Sequence, residues 1–344
     1  MSEQSHRAPS GDALRISAVV PCYDEAAGLP DLYQRLSAAC RKVAGESFEI
    51  ILVNDGSKDN TWSVIKQLCE TDPAVVGVDL SRNHGHQLAL TAGLSMCRGD
   101  RILILDADLQ DPPELLPEMF SLMDKGADVV YGKRTQREGE GWFKRFTASL
   151  FYRLVNRLTD VEIPEDTGDF RLMSRRALDV LREMPEQHRF IRGMVSWIGF
   201  NQVPVHYERL QRVTDTTKYS ISKMIRFAID GITSFSIRPL RLAAYAGIAV
   251  AFAAVALLGY VTWFYFVYGV VRGSASLLAI VLFLSGAQMF FLGLIGEYLG
   301  RLFLEAKGRP LFVINDVVRS SSTSTLTKGP AGDRPQSEPS GSTM

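Results

Sequence analysis

Along its first 135 residues the chain alternates two hydrophobic periods. Short aliphatic or β-branched runs at 15–21 (RISAVVP), 48–54 (FEIILVN), 75–80, 101–106 (RILILD) and 129–131 predict strands, while 29–43 and 61–70 repeat their apolar residues at helical spacing. Strand and helix in alternation predict a largely parallel sheet with helices on both faces. In such sheets ligands bind beyond the carboxyl ends of the strands. Asp24 and Glu25 fall there after the first run, Asp55 after the second, and Asp106 with Asp108 after the fourth. A single crevice is expected to collect them.

The pattern changes in the last third. Residues 242–271 contain no Asp, Glu, Lys, Arg or His, and neither do residues 273–296. Each run exceeds the roughly 20 residues that cross a hydrocarbon core of about 30 Å, and Arg272 with Gly273 leaves room only for a tight hairpin. Two membrane spans are predicted in preference to a pair of buried helices. Arg238 and Arg241 precede the first span and Arg301, Lys307 and Arg309 follow the second, against the single Arg272 between them. This bias orients both flanks to the cytoplasm. Ahead of the spans, Ile221, Met224, Ile225, Ala228, Ile229, Ile232 and Phe235 recur at three- and four-residue steps. They predict an amphipathic helix, either lying on the lipid surface, which the cationic flank and adjoining span favour, or packed on the preceding domain. The last segment, rich in Ser, Thr, Pro and Gly, is expected to be disordered. The expected organisation is a disordered N-terminus (1–13), a cytoplasmic domain (14–215), an interfacial helix (216–239) and a two-helix hairpin (240–300). A cytoplasmic segment (301–318) and a disordered tail (319–344) complete it.

Length and composition add bounds. A chain of 344 residues suits one large α/β domain with an appendage, and a formal net charge of zero provides no global basic field for nucleic acid. Cys22, Cys40, Cys69 and Cys97 lack metal-ligand spacing and read as buried thiols. MSEQSHRAPSGDALR has no apolar signal core, so the front domain is expected to stay cytoplasmic.

The candidate chemistry centres on DADLQDPPE (106–114), which follows an aliphatic strand. A hard divalent cation such as Mg²⁺ or Mn²⁺ takes a few carboxylate or amide oxygens and leaves other positions for phosphate oxygens. An Asp-x-Asp pair alone also occurs as a solvated turn or helix cap. Here its company is VNDGSKDNT (53–61), where Asp55 sits in a strong turn sequence whatever else it does.

With VVPCYDEAAGL (19–29), LSRNHGHQLALTAGL (80–94), TGDFRLMSR (167–175) and GEYLGRLFLEAKGRPLF (296–312), these segments resemble the family 2 glycosyltransferases that act on polyprenyl phosphates. The bacterial bactoprenol glucosyltransferase branch is the most similar, and the resemblance runs in order from about Ile16 to Val318. It implies an α/β glycosyltransferase-A (Rossmann-like) domain followed by an interfacial helix and two transmembrane helices. It also implies inverting transfer of a hexose from a nucleotide sugar, UDP-glucose before others, to undecaprenyl phosphate. The enzyme would be a homo-oligomer, multi-pass in the inner (plasma) membrane, with Mg²⁺ or Mn²⁺ and no nucleic-acid partner. Carried over residue by residue, Pro21, Tyr23, Glu25 and Asp55 line the nucleoside pocket, Asp106 holds the donor diphosphate, and Asp108 and Gln110 hold the metal. Arg134 lies at the rim near sugar and phosphates, and Asp169 at the sugar and acceptor end, unless it caps the helix at 175–181. Arg212, Lys218 and Tyr219 gather donor diphosphate and lipid phosphate, although Thr214-Asp215-Thr216 departs from the glycine usual in that loop. Arg145 and Arg153 either meet the lipid phosphate or form a cationic face. His84 and His86 shape the sugar pocket rather than bind metal.

Other classes fit less well. A dinucleotide-dependent oxidoreductase needs G-x-G-x-x-G where this chain has Pro21-Cys22-Tyr23-Asp24-Glu25. Processive polysaccharide synthases resemble one another in Gln-x-x-Arg-Trp, which Gln187-His188-Arg189-Phe190 fails. A nucleotide-sensing membrane scaffold would bind donor without turnover.

Overall fold

The computed structural model describes residues 14–134, 167–208, 238–268 and 274–320. One eight-stranded sheet runs in the order β7-β5-β6-β4-β1-β2-β3-β8. The predicted strands form as β1 (Ile16–Cys22), β2 (Phe48–Asn54), β3 (Val75–Leu80), β4 (Arg101–Ile104) and β5 (Val129–Arg134). Between them lie α1 (Leu29–Ala44), α2 (Thr61–Thr71), α3 (His86–Met96) and α4 (Leu116–Asp124).

The alternation along each strand explains the layers. Ala18, Val20, Ile50, Leu52 and Leu103 face a core with Leu32 and Leu36 of α1, Ile65 of α2 and Met119 of α4. Their neighbours Val19, Ile51, Val53, Ile102 and Ile104 face the opposite core with Ala89 and Leu90 of α3. That second core also takes in α5 (Arg175–Glu183) through Leu178 and α6 (Ile191–Ile198) through Met194. Each fully buried aliphatic side chain contributes about 1.5–3 kcal/mol before entropy is counted.

The expectation of a largely parallel sheet needs correction. β1 pairs parallel with β2 and β4, β2 with β3, and β5 with β7 (Gln202–Tyr207). β6 (Thr167–Ser174) instead runs antiparallel between β4 and β5, and β8 (Ile314–Arg319) antiparallel on β3. These strands escape a pattern search for a physical reason. TGDFRLMS buries Asp169 and Arg171 within the sheet, QVPVHY contains Pro204, and INDVVR is an edge strand with most residues exposed.

The C-terminal helices are α7 (Arg238–Tyr268) and α8 (Ser274–Ala306). Their segments Leu240–Tyr268 and Phe283–Ala306 are long and apolar enough to cross a membrane. Phe252, Phe266, Phe283 and Phe290 stand exposed along them, an apolar surface suited to lipid. α8 continues past Gly296, where Arg301 pairs with Glu297 one turn back at 3.2 Å. The chain then returns to the sheet as β8, so the last described stretch is part of the front domain's own architecture. The expected interfacial helix lies almost wholly outside the described residues, as do residues 1–13 and the chain beyond 320.

Candidate active site

The crevice opens where β1 and β4 lie side by side while their connections depart in opposite directions, the position at which α/β sheets bind ligands. Pro21, Cys22, Tyr23, Glu25, Asp55, Asn83, Gly85, His86, Asp106, Ala107 and Asp108 line a cavity of about 280 Å³. Of the residues expected there, Pro21, Tyr23, Glu25, Asp55, Asp106 and Asp108 come together on its wall.

Backbone geometry shapes both rims. Asp24 (φ 55°) and Leu109 (φ 59°) are the non-glycine residues with positive φ among the described ones, and they flank the crevice after β1 and β4. Asp24 is held there by accepting hydrogen bonds from the Lys58 and Asp59 N–H groups at 2.7 and 3.3 Å. A branched residue such as Leu109 rarely adopts this conformation, and such outliers concentrate at functional sites. The turn after β2 presses on the loop after β3. A Cβ on Gly56 would meet the Asn83 backbone nitrogen at 2.5 Å.

Asp55 explains this contact. Its carboxylate accepts from the His84 and Gly85 N–H groups at 2.7 and 3.0 Å, tying the two loops together across the crevice wall. The turn-forming role belongs to Asn54, whose Oδ1 accepts from Ser57 N at 3.3 Å. Burial raises the Asp55 pKa against the lowering effect of those N–H donors.

The antiparallel register of β6 completes the site. Ile104 pairs with Arg171, so continuing the ladder by two residues sets Asp106 opposite Asp169. Asp169 Oδ2 lies 3.0 Å from His86 Nε2 and accepts from Gln87 Nε2 at 3.0 Å, while Arg192 donates to Oδ1 at 3.4 Å. Burial works to raise the Asp169 pKa, but the His86 bond and the charges of Arg192 and Arg171 outweigh it and hold the carboxyl well below the usual range. For His86, burial lowers the pKa and the Asp169 bond with the charges of Asp106 and Asp169 raises it, for a net rise. Fully buried Arg171 is pushed down to about 10, by burial first, and donates to the Gly168 and Asp169 carbonyls. The alternative that Asp169 caps the following helix is overturned. That cap is Ser174, whose hydroxyl accepts from Ala177 N at 3.3 Å.

Asp106 is the strained carboxylate. Its Oδ1 is buried without a hydrogen-bond partner, 3.5 Å from His86 Nε2. Burial foremost, helped by Asp169, Asp111 and Asp108 against the opposing His86, raises its pKa to about 6. Asp108 accepts from Gln110 N at 3.1 Å. The Gln110 side chain is buried and is not part of the crevice wall. Arg134 ends β5 and donates to the Tyr207 hydroxyl at 3.3 Å, beside buried Asp111 at 3.7 Å, to which Tyr207 also donates. It belongs to a packed polar cluster, and Gly168 provides room for it, since a Cβ there would lie 2.9 Å from its guanidinium. Arg145, Arg153, Arg212, Lys218 and Tyr219 lie outside the described residues.

Two residues of the network, Gln87 and Arg192, were not anticipated, whereas His86 was expected at the sugar pocket and lines the crevice. Gln87 sits in a segment recognised only as a motif, and Arg192 is separated from Asp169 by 23 positions with no periodic link. Only strand polarity and loop docking bring them together.

The wall is acidic through Glu25, Asp55, Asp106 and Asp108, and among the described residues no Lys or Arg is part of it. His86, Asp106 and Asp169 also place one ligand atom each within 4.8 Å of one another. A multiply charged anion entering such a crevice needs positive charge to offset the carboxylates, and the orphaned Asp106 oxygen fits a metal ligand.

Residues 17–182 match the profile of glycosyl transferase family 2, and residues 238–302 that of the GtrB C-terminal hairpin. The chain is 44% identical over 307 residues to the uncharacterized glycosyltransferase YkcC of Bacillus subtilis (strain 168), spanning 88% of this chain and 93% of that one. It is 41% identical over 305 residues to the prophage bactoprenol glucosyl transferase homolog of Escherichia coli (strain K12), spanning 88% and 99%. With the bactoprenol glucosyl transferase of Shigella phage SfV it shares 40% over 307 residues, again 88% and 99%. Among solved structures, a mannosyltransferase from Pyrobaculum calidifontis in complex with GDP-Man and Mn²⁺ aligns over 86% of each chain at 16% identity and TM-score 0.42. A crevice at the strand ends, two long apolar helices and relatives matched over both parts lead to one assignment: the chain belongs to glycosyl transferase family 2, as a membrane-associated glycosyltransferase of the GT-A fold with a GtrB-type C-terminal hairpin.

Proposed function

We propose that this glycosyltransferase moves glucose from UDP-glucose to undecaprenyl phosphate at the cytoplasmic face of the inner membrane, with inversion at the anomeric carbon. The observation that carries this reading is the 40–41% identity to bactoprenol glucosyl transferases, which extends over 97–99% of their length and so includes the hairpin. Arginines at 238, 241, 301 and 309 around the two apolar helices support a cytoplasmic catalytic domain. The organisation that goes with it is a catalytic domain at 14–215, an interfacial helix at 216–239, a hairpin at 240–300 and a cytoplasmic return beyond 300.

In this reading Pro21, Tyr23, Glu25 and Asp55 hold the nucleoside. Asp106 and Asp108 would hold Mg²⁺ or Mn²⁺, which when bound offsets the charge of the departing diphosphate, and Gln110, buried behind the wall, would position Asp108 through its backbone N–H. An oxygen of the acceptor phosphate attacks the anomeric carbon, the bond from that carbon to the UDP oxygen breaks, and UDP leaves with the electron pair. The acceptor is already anionic near neutral pH, so Asp169, saturated by His86, Gln87 and Arg192, orients rather than removes a proton. Arg134 supports the sugar end. Arg212, Lys218 and Tyr219, with Arg145 and Arg153, bring the lipid phosphate against the donor despite their mutual repulsion. The working unit is a homo-oligomer.

The test offers the purified full chain in detergent a panel of UDP- and GDP-sugars with undecaprenyl phosphate and follows the lipid-linked product by mass spectrometry and its anomer by NMR. UDP-glucose should be preferred and yield a β-linked product from the α-linked donor. Preference for another sugar would displace the donor assignment, an α-linked product the mechanism, and donor binding without turnover the reaction itself. Cross-linking in native membranes reads the oligomer, with a lone protomer as the contrary result.

A further inference from the structure

We propose that residues 184–192 form a strut that transmits the seating of α8 to the Asp169 carboxylate, making Glu305 and Gln87 positioning residues for sugar transfer. The inference rests on the role of Asp169 given above. It starts from a segment whose likeness to a synthase motif is too poor to give it that job, Gln187-His188-Arg189-Phe190.

The contacts form a continuous line. Glu305, in the last turn of α8, accepts from the Gln187 backbone N–H at 2.7 Å, and Gln187 Nε2 donates to the Arg309 carbonyl at 3.0 Å. Both ends of the turn that follows α8 are thereby tied to the strut. Arg189 stiffens it by donating to the Met184 and Leu181 carbonyls at 2.9 and 2.8 Å, anchoring it to the end of α5. At its far end the Ile191 N–H donates to Gln87 Oε1 at 2.8 Å. That bond fixes the amide orientation, because an N–H must face the carbonyl oxygen, and so aims Gln87 Nε2 at Asp169 Oδ2, 3.0 Å away. The next residue, Arg192, reaches the other oxygen of the same carboxylate at 3.4 Å. Both Asp169 oxygens therefore have partners whose placement depends on the start of α6.

On one side the strut is not packed against other side chains, at Arg189. A cavity of about 330 Å³ lies beside it, walled by Thr91, Leu94, Leu181, Arg189, Leu311 and Phe312 among others. Close packing would have locked the segment independently of α8. On that side the strut meets an open pocket rather than packed side chains, so the Glu305 and Arg309 bonds carry its link to α8. A misplacement of about 1 Å at a reacting centre can cost on the order of 100-fold in rate, so a small shift of α8 against the domain is enough to matter.

The test uses the full chain in lipid nanodiscs with UDP-glucose and undecaprenyl phosphate, with UDP affinity measured by calorimetry and melting temperature followed for each variant. Glu305→Ala should lower kcat about tenfold while KM for the donor and Kd for UDP stay within about twofold. Glu305→Gln keeps an oxygen that accepts from Gln187 N–H and should restore kcat. Gln87→Ala should lower kcat similarly, and the double variant should lose less than the product of the two single losses, the remainder passing through Arg192. Wild-type kcat in Glu305→Ala, no rescue by Glu305→Gln, or losses that multiply in the double variant would each overturn the strut. If Glu305→Ala does not fold, Gln187→Ala, which removes only the bond to Arg309, takes its place in the cycle. Asp169→Asn separates the two readings. Loss of turnover there with Glu305→Ala unaffected sinks the strut alone, whereas full turnover in Asp169→Asn sinks the Asp169 role and the strut with it.

Discussion

Two neighbouring carboxylates at the ends of β4 and β6, Asp106 and Asp169, carry opposite pKa shifts, and the difference makes testable demands. Asp106 has a pKa raised to about 6 by burial and by neighbouring carboxylates, so its proton is favoured in the fold. Its ionisation destabilises the metal-free protein above that pH, and the penalty vanishes below the ordinary carboxylate range. In the proposed role Asp106 binds metal and donor as the carboxylate, so affinity for UDP with Mg²⁺ should fall as pH drops through about 6. Titration calorimetry across that window checks it, and Asp106→Asn should flatten the acid limb; an unchanged limb would assign it elsewhere. Asp169 behaves oppositely. Held well below the usual range, it contributes stability present above ordinary carboxylate pKa values and lost only as pH falls through its depressed one. Excess chelator should abolish turnover, and Asp108→Ala should remove at least 90% of it, roughly an order of magnitude or more, with an unaltered melting temperature. Full turnover in chelator would remove the metal from the mechanism.

Helix α3 shows how an element sets the site. Its first turn presents His86 and Gln87, and its middle packs so closely on the sheet that a Cβ on Gly93 would lie 2.4 Å from Val19 Cγ1 and 2.9 Å from Val53 Cγ2. Helix propensity alone favours Gly93→Ala by about 1 kcal/mol, yet overpacking costs typically 1–3 kcal/mol, and Val19 sits in the buried centre of β1 with nowhere to go. The clash should win. Gly93→Ala is expected to lower the melting temperature by a few degrees, and turnover with it, because α3 lifts off the strands that carry the crevice. A rise in melting temperature would show that the helix shifts without cost. On the strand side, buried Glu49 accepts from Ser17 Oγ at 2.6 Å and from Arg98 N, Nε and Nη2 at 2.7, 2.9 and 2.7 Å. Glu49→Ala leaves these donors unmatched and should cost about 2–4 kcal/mol by denaturant unfolding.

For the whole molecule, β8 alters what a truncation means. Cutting the chain at residue 240 removes the hairpin and also the strand that covers the edge of β3, along with the bond from Asn315 Nδ2 to Asp79 at 2.8 Å. Asp79 in turn accepts from Asn54 Nδ2 at 2.7 Å, next to Asp55 in the crevice. An uncovered Val75–Leu80 edge is a template for pairing with another chain. The truncated protein should therefore melt several degrees lower and self-associate in sedimentation, while still binding UDP more weakly. A monomer as stable as the full chain would show that β8 is dispensable.

Where the residues themselves set the period, the chain could be read directly. Runs such as FEIILVN, the helices between them and two charge-free stretches follow from local hydrophobicity, and the acidic strand ends of β1, β2 and β4 could be located because a parallel sheet sends all its carboxyl ends one way. The reversal of β6 could not, since a strand carrying Asp169 and Arg171 in its buried interior has no apolar alternation to mark it. Polarity of that strand brings Asp169 opposite Asp106, and the docking of the 184–192 segment delivers Arg192 and fixes Gln87, contacts between positions with no sequence period in common. The sequence alone determined which residues could hold charge at the mouth of a sheet. Tertiary structure decided which of them lie close enough to shift one another's ionisation, because burial and neighbouring charges exist only once distant segments have packed.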